Sequence, residues 1–197
     1  MNRTALALLA AAATLPLSGC ISFGPKPPPR LMALTATTPL AAGPAITTGD
    51  ARAVQIARLS AIPALGTQRV LVTDGPTAIA YLKGGLWAAA PTDLFRGLLA
   101  ETITVRTGRV VTEPRLLQIQ PNTRLAGQIS AFGLDGPGNA VVVTFDATMS
   151  HEGSEQIQSR RFSARLPVAS QQPDVVAVAL NQAANQVAGE VADWIGR

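Results

Sequence analysis

The sequence predicts an α+β fold: a mostly antiparallel sheet with two amphipathic helices packed on one face, preceded by a signal peptide and a proline-rich tether. Apolar residues recur with helical spacing in two stretches, near residues 92–107 and 173–195. Short apolar runs with turn residues between them account for most of the remaining domain, which is typical of strands. The order strands, helix, strands, helix favours helices and strands in separate layers.

The first twenty residues have the features of a secretory signal. Arg3 precedes an apolar run, Ala5 to Leu17, that is too short to span a bilayer comfortably. The small residues Ser18 and Gly19 then precede Cys20, the only cysteine in the chain. An ordinary signal peptide with an incidental cysteine is the alternative interpretation.

Leu17-Ser18-Gly19-Cys20 resembles a bacterial lipobox. The resemblance implies that residues 1–19 are a lipoprotein signal peptide and that Cys20 becomes the lipidated N-terminus. Two or three acyl chains hold a protein stably, since each buried methylene contributes about 0.8 kcal/mol. By the same resemblance, an aspartate at the position of Ile21 would favour retention at the inner membrane. The expected location is therefore the periplasmic face of the outer membrane.

Residues 20–50 are interpreted as the lipidated cysteine and a flexible tether. Four prolines within residues 25–29 favour an extended chain, because proline fixes φ and lacks a backbone donor. Residues 31–34 indicate at most a short edge strand, and residues 37–50 have the composition of a loop. The folded domain is assigned to residues 51–197.

Three short strands are predicted at the start of this domain. They centre on residues 54–56, 69–72 and 77–82, and Gly84-Gly85 is expected to end the third.

A helix is predicted over residues 92–107. Gly108 is placed to end it. Gly97, in its middle, costs about 1 kcal/mol relative to alanine, which indicates a close packing contact. The apolar face of this helix comprises Leu94, Phe95, Leu98, Leu99 and Ile103.

Three longer strands, over residues 124–132, 140–149 and 156–166, are separated by glycine-containing turns and predict an antiparallel meander with one buried face. Alternation in the second of them places Val141, Val143, Phe145, Ala147 and Met149 on one face. A final helix over residues 173–195 begins at a proline. Its apolar stripe is Val176, Leu180, Ala183, Val187, Val191 and Trp194. Its polar side, expected to face water or a polar partner, carries Asn181, Gln182, Asn185 and Gln186.

No catalytic set is recognisable. His151, the only histidine, stands at a hairpin tip, where a solvated surface side chain is the favoured interpretation. We find no nucleophile elbow, phosphate loop, dinucleotide fingerprint or metal-ligand spacing. The arginines are scattered, which disfavours nucleic-acid binding. The sequence therefore predicts a protein that is not an enzyme, with no metal and no cofactor beyond the covalent lipid on Cys20.

The stretch from Tyr81 to Pro91, YLKGGLWAAAP, resembles the ABC-type transport auxiliary lipoproteins. These are outer-membrane lipoprotein partners of MCE-type lipid transport systems. Tyr81 ends a strand, Trp87 and Ala88 follow a short gap, and an amphipathic helix follows Pro91. The lipobox, the proline tether, the three C-terminal strands and the closing helix also agree with this family.

The resemblance implies a docking or binding subunit of an MCE-type ABC transport system that moves phospholipids between the inner and outer membranes. Its partners would be an MCE-domain protein, the inner-membrane permease and ATPase, and membrane lipid through the anchor; a homo-oligomer is left open. A structural or assembly lipoprotein of the outer membrane is the alternative function. A lipid-anchored hydrolase is disfavoured because no nucleophile–base set is recognisable.

Tyr81, Trp87 and Pro91 are the candidate motif residues within the domain. They would either contact a partner or, as we favour, have a structural role, with the aromatic pair wedged where the sheet meets the first helix. For Trp194 the alternatives are core packing and contact with lipid, and its place on the apolar stripe favours core packing.

Overall fold

The computed structural model describes residues 30–43, 45–47, 49, 52–112 and 121–196; the lipobox with Cys20, the prolines at 25–29 and residues 113–120 lie outside them. The described part forms an eight-stranded sheet and two α-helices, which confirms the predicted α+β class. In chain order the elements are β1 (Val54–Ile56), β2 (Ser60–Ala61), a 3-10 turn (Pro63–Leu65), β3 (Arg69–Asp74), β4 (Ala78–Leu86), α1 (Pro91–Thr107), β5 (Val111–Thr112), β6 (Thr123–Asp135), β7 (Ala140–His151), β8 (Ile157–Pro167) and α2 (Pro173–Ile195).

Strand β6 is the centre of the sheet. On one side it pairs antiparallel with β7, which pairs antiparallel with the edge strand β8, so the predicted meander is confirmed. On its other side β1, β2 and β3 follow one another along β6, all parallel to it. The outer partners of β1 and β3 are β5 and β4. The parallel pairing was not predicted, because its strands are distant in sequence and leave no local signal.

One face of the sheet is buried against the helices. Side chains alternate along β7 as predicted, and the buried set comprises Val141, Val143, Phe145, Ala147 and Met149. On this face Phe95 of α1 lies between two rings of the sheet, 6.2 Å from Phe132 and 5.4 Å from Phe145, both edge to face. Such pairs contribute about 0.5–1.5 kcal/mol beyond the burial of their area. Residues of α2, including Val176, Leu180, Val187 and Val191, complete the core.

Helix α1 has the ends that the sequence predicts. Pro91 occupies its first turn, and Gly108 ends it in the left-handed region at φ 65°. The packing contact expected at Gly97 is wrong: this residue is exposed, and apart from the backbone of its own helix turn no atom lies within 4 Å of the place where a Cβ would stand.

Strand β4 continues through Gly84 and Gly85 to Leu86, whereas the glycines were expected to end it. Gly84 has φ 76°, a backbone conformation that favours glycine, and the pairing with β3 changes register nearby. A Cβ at Gly85 would stand 3.2 Å from the Cβ of Val70. These glycines therefore shape an irregular strand and do not stop it.

Both helices run from the Trp87 end of the sheet to the end where β6 begins. Trp87 directly precedes α1 and contacts Phe132, with 5.4 Å between ring centroids. At the opposite end, Arg109 binds both the Ile195 carbonyl of α2 and the side chain of Thr123, the first residue of β6. Nine positions of β6, from Phe132 to Thr123, separate the two ends by about 30 Å. Among the described residues, no helix has both the length and the apolarity needed to cross a membrane.

Candidate functional site

Trp87 lies inside the core, with only 1% of its surface exposed. Its backbone N–H donates to the Gln68 carbonyl over 2.6 Å, and its ring packs edge to face on Phe132. Pro91, the third member of the motif after Tyr81 and Trp87, is buried at the start of α1. In this arrangement Trp87 and Pro91 secure the junction between β4 and α1.

Tyr81 has different neighbours from Trp87. Its hydroxyl donates to the Ala64 carbonyl over 3.2 Å, and the guanidinium of Arg69 lies 4.5 Å from the centroid of its ring. Tyr81 thus connects β4 to the turn before β3. The prediction that Tyr81 and Trp87 form one aromatic pair is therefore wrong. The Tyr81 ring packs on Arg69, whereas the Trp87 ring packs on Phe132.

Residues 31–40, which the sequence assigned to the tether, form a strap across the two helices. Near the start of the strap, Met32 forms a β-bridge with Trp87. The Met32 N–H donates to the Leu86 carbonyl, and the Ala88 N–H donates to the Met32 carbonyl, each over 2.8 Å. The chain therefore joins the domain beside the Tyr81–Pro91 motif.

Side chains of both helices then bind the backbone of the strap. Asn181 accepts from the Thr35 N–H over 2.9 Å, and Asn185 accepts from the Thr37 N–H over 2.8 Å. Glu101 of α1 accepts from the N–H of Leu40 over 2.8 Å. The polar side of α2, expected to face water or a partner, is thus partly occupied by the chain itself, and the flexible segment expected over residues 20–50 does not extend through residues 31–40.

A basic cleft of about 650 Å³ opens at the end of the sheet where β6 begins. We define it by the side chains that carry its chemistry, Arg109, Thr123, Met149, His151, Arg160 and Trp194. They come from β6, β7, β8, α2 and the segment after α1. Among the described residues that line the cleft, none is an aspartate or a glutamate.

Arg109 is the most constrained cation of the cleft. It donates to the Arg52 carbonyl, the Ile195 carbonyl and Thr123 Oγ1, over 2.6, 3.1 and 2.6 Å. Burial, together with the positive charge of Arg52, lowers the pKa of Arg109 from its ordinary value. The bond to Ile195 satisfies a carbonyl at the end of α2, where a cation is favourable.

His151 joins the same hydrogen-bonded group. Its Nδ1 lies 3.3 Å from Thr123 Oγ1, so Thr123 contacts both His151 and Arg109. The Thr123 side chain is buried, with 1% of its surface exposed. A buried hydroxyl that already accepts a hydrogen bond from a guanidinium is a poor nucleophile. We therefore infer that Thr123 holds the side chains of Arg109 and His151 in place.

Arg160 and Trp194 form the other wall of the cleft. The Arg160 guanidinium lies 4.9 Å from the centroid of the Phe162 ring, and Trp194 packs on the same ring at 5.6 Å. Trp194 is partly buried against the core, so it combines packing with a surface that faces the cleft.

The uncovered face of the sheet carries two ion pairs. Arg161 binds Asp146 through two bonds, and Arg165 binds Asp135. Hydrogen bonding from Arg161 lowers the pKa of Asp146, and hydrogen bonding from Arg165 lowers the pKa of Asp135. The described residues contain no group of three or more histidine, cysteine, aspartate or glutamate side chains that could hold a metal.

Sequence reasoning missed the cleft and the strap. His151 and Trp194 were noticed singly, but the proximity of His151 to Arg109 arises from the parallel pairing of β1 with β5 and β6, and that of Trp194 to Arg160 arises from the path of α2. Asn181 and Asn185, four positions apart, were recognisable as a polar pair on one helical face. Nothing in the sequence indicated that their partner is the strap.

Comparison with protein families finds one match, to the ABC-type transport auxiliary lipoprotein component, over residues 33–192. This range includes the strap from Ala33 onward, the whole sheet, α1, and α2 as far as Ala192. No curated protein matches the chain.

Two solved structures share the fold. A Xanthomonas campestris protein of the DUF330 family is 23% identical, with a TM-score of 0.69, over 84% of this chain and 94% of its own. A second, described as an uncharacterized protein, is 18% identical, with a TM-score of 0.65, over 84% of this chain and 99% of its own. At these identities the likeness concerns the fold alone.

Proposed function

Because the chain belongs to the ABC-type transport auxiliary lipoprotein family, we propose that it is a lipid-anchored docking subunit of an MCE-type ABC transport system. The observation that carries this proposal is the family match over residues 33–192. The system would move phospholipids between the inner and outer membranes, with its ATPase and permease in the inner membrane. This chain would hold the far end of the assembly by binding the MCE-domain protein.

The anchor in this proposal is lipid on Cys20, at the periplasmic face of the outer membrane. The lipobox and Ile21 support it. Met32, where the chain joins the domain, stands twelve positions after Cys20, so the domain begins within about 40 Å of the anchor. The tether is thus attached at the Trp87 end, about 30 Å along β6 from the basic cleft.

The role we propose is not enzymatic and uses no cofactor beyond the covalent lipid. The hydroxyl that contacts His151 belongs to Thr123, which is buried and bound by Arg109. What the described surface offers is instead a firmly packed sheet, a strap bound to both helices and a cleft of positive charge, which suit binding.

The proposal is tested by lipid movement and by location. In cells lacking the gene, pulse-labelled phospholipid should redistribute between the membranes more slowly, and the wild-type gene should restore the rate. The Cys20→Ala variant should fold, leave the membrane fraction and fail to restore it. Equal redistribution in all strains, or a Cys20→Ala protein that resists carbonate extraction, would contradict the proposal and favour a structural lipoprotein of the outer membrane.

A further inference from the structure

The basic cleft carries positive charge that the described residues do not neutralise. Three other arginines have carboxylate partners: Arg106 binds Asp193 with two hydrogen bonds, and Arg161 and Arg165 bind aspartates. In the cleft, Arg109 donates to neutral oxygens, and Arg160 lies over an aromatic ring. These two arginines and His151 line the same opening.

The basic side chains of the cleft are held in place in the absence of a ligand. The buried Thr123 hydroxyl contacts both Arg109 and His151, and Arg109 is also bound to two backbone carbonyls. Arg160 is held by its contact with the Phe162 ring. Because the side chains are already ordered, an anion would bind without the entropic cost of ordering them.

Capping of α2 explains only part of this arrangement. Arg109 satisfies the Ile195 carbonyl, which suffices for a helix end. Arg160 lies on β8 and is exposed, and its packing on one face of Phe162 leaves its charge facing the cleft. The charge of Arg160 therefore has no structural task comparable to that of Arg109.

The cleft also has an apolar wall. Trp194, Met149 and Ile195 line it beside the cations, and Trp194 is supported from behind by Phe162. Arginine matches the oxygens of phosphate through paired hydrogen bonds. Charge next to an apolar surface suits a ligand in which a phosphate is joined to an apolar part, whereas an acidic peptide would not use the apolar wall.

We propose that the basic cleft is a phosphate-binding site, with Arg109, Arg160 and His151 as donors to the oxygens and Trp194 in contact with the ligand. The phosphate would belong to a phospholipid headgroup or be free in solution. The lipid alternative rests on the function proposed above. The phosphate site itself does not.

The test is calorimetric titration of the full-length lipidated protein in an uncharged detergent. The probes are inorganic phosphate, glycerol phosphate and a short-chain phosphatidylglycerol. Arg160→Gln should weaken binding at least tenfold. Arg161→Gln is the matched control: it also removes one charge, but from the adjacent residue, whose side chain binds Asp146 on the uncovered face of the sheet. Thermal melting should show both variants folded, since Arg160 and Arg161 are exposed.

Each outcome decides a point. Binding of all three probes that depends on Arg160 supports the site with either source of phosphate. Binding of phosphatidylglycerol alone supports the lipid source, and binding of the two soluble phosphates alone supports free phosphate. Equal affinity of the probes for Arg160→Gln and Arg161→Gln, or no binding of any probe, would overturn the proposal. Binding of a glutamate-rich peptide to a protein that binds none of the three phosphate probes would also overturn it.

Failure of this proposal is distinguishable from failure of the proposed function. If none of the probes binds but an MCE-domain protein still co-purifies with the chain, only the proposal that the cleft binds phosphate is refuted. If a probe binds through Arg160 but no transport component co-purifies and lipid redistribution is unchanged in cells lacking the gene, only the transport role falls.

Discussion

The side-chain amide of Asn185 donates a 2.8 Å hydrogen bond to the backbone carbonyl of Thr35, 150 residues earlier in the chain. Together with the bond from the Thr37 N–H to Asn185, it fastens the strap to α2. The segment that follows the proposed anchor at Cys20 is therefore joined to the same helix whose end forms a wall of the basic cleft.

Removing both amides should release the strap. In the Asn181→Ala, Asn185→Ala double variant we expect the amide protons of Thr35 and Thr37 to exchange about tenfold faster, because each hydrogen bond contributes about 1 kcal/mol. Hydrogen exchange with residue resolution measures this change. Gln182→Ala, an exposed amide on the same helix, is the control and should leave both protons protected. Unchanged exchange in the double variant would show that the strap is held by other contacts.

Gly97→Ala should stabilise the protein by about 0.5–1 kcal/mol. The site is an exposed helix interior, and apart from the backbone of its own helix turn no atom lies within 4 Å of a new Cβ, so alanine gains helix propensity without a clash. Gly189→Ala in α2 is the control, because its Cβ would stand 3.1 Å from Arg106 Nη1. Chemical denaturation should show a gain at position 97 that position 189 does not match. A loss of stability at position 97 would restore the packing role first expected from the sequence.

Leu98→Ala should destabilise the fold by about 2–5 kcal/mol, the usual range for a buried leucine. Leu98 is 3% exposed on the inner face of α1. Val178→Ala, on the other helix and 60% exposed, should change stability little. Urea unfolding of the two variants measures both effects, and similar midpoints would mean that α1 does not pack on the sheet as described.

Acid should weaken the ion pair between Asp146 and Arg161. The pKa of Asp146 is lowered from its ordinary value of 3.8, so the stability it contributes is present above that pH and is lost as the pH falls below it, through the lowered value. Denaturation followed from pH 5 down to about pH 2 should show a smaller loss in Asp146→Asn and in Arg161→Gln than in the wild type. Arg160→Gln should retain the wild-type slope. Because Arg161 is 68% exposed, the difference will be modest, and identical slopes in all proteins would exclude a contribution from this pair.

The features predicted correctly from the sequence are those with a local pattern. Alternation along Val141 to Met149 predicted which side of β7 is buried, and the spacing of Phe95, Leu98 and Ile103 predicted the inner face of α1. Gly108 carried a recognisable end signal because only a residue that tolerates positive φ fits that position easily.

The features that were missed depend on contacts between distant residues. The pairing of Val54 with Thr123, and of Leu71 with Gly133, is parallel and leaves no turn to mark it. The strap has the composition of a loop, and only its partners on α1 and α2 hold it. The cleft combines side chains that are individually unremarkable, so neither Arg109 nor Arg160 could be singled out from sequence.

The central claim is that this lipoprotein works with an MCE-type ABC transport system. The most direct measurement is crosslinking in intact cells, followed by affinity purification of the tagged, lipidated protein from detergent-solubilised envelopes and mass spectrometry of its partners. The account predicts an MCE-domain protein among them, with recovery reduced in Cys20→Ala. Recovery of outer-membrane assembly proteins alone, with no MCE-domain protein even after crosslinking, would contradict it.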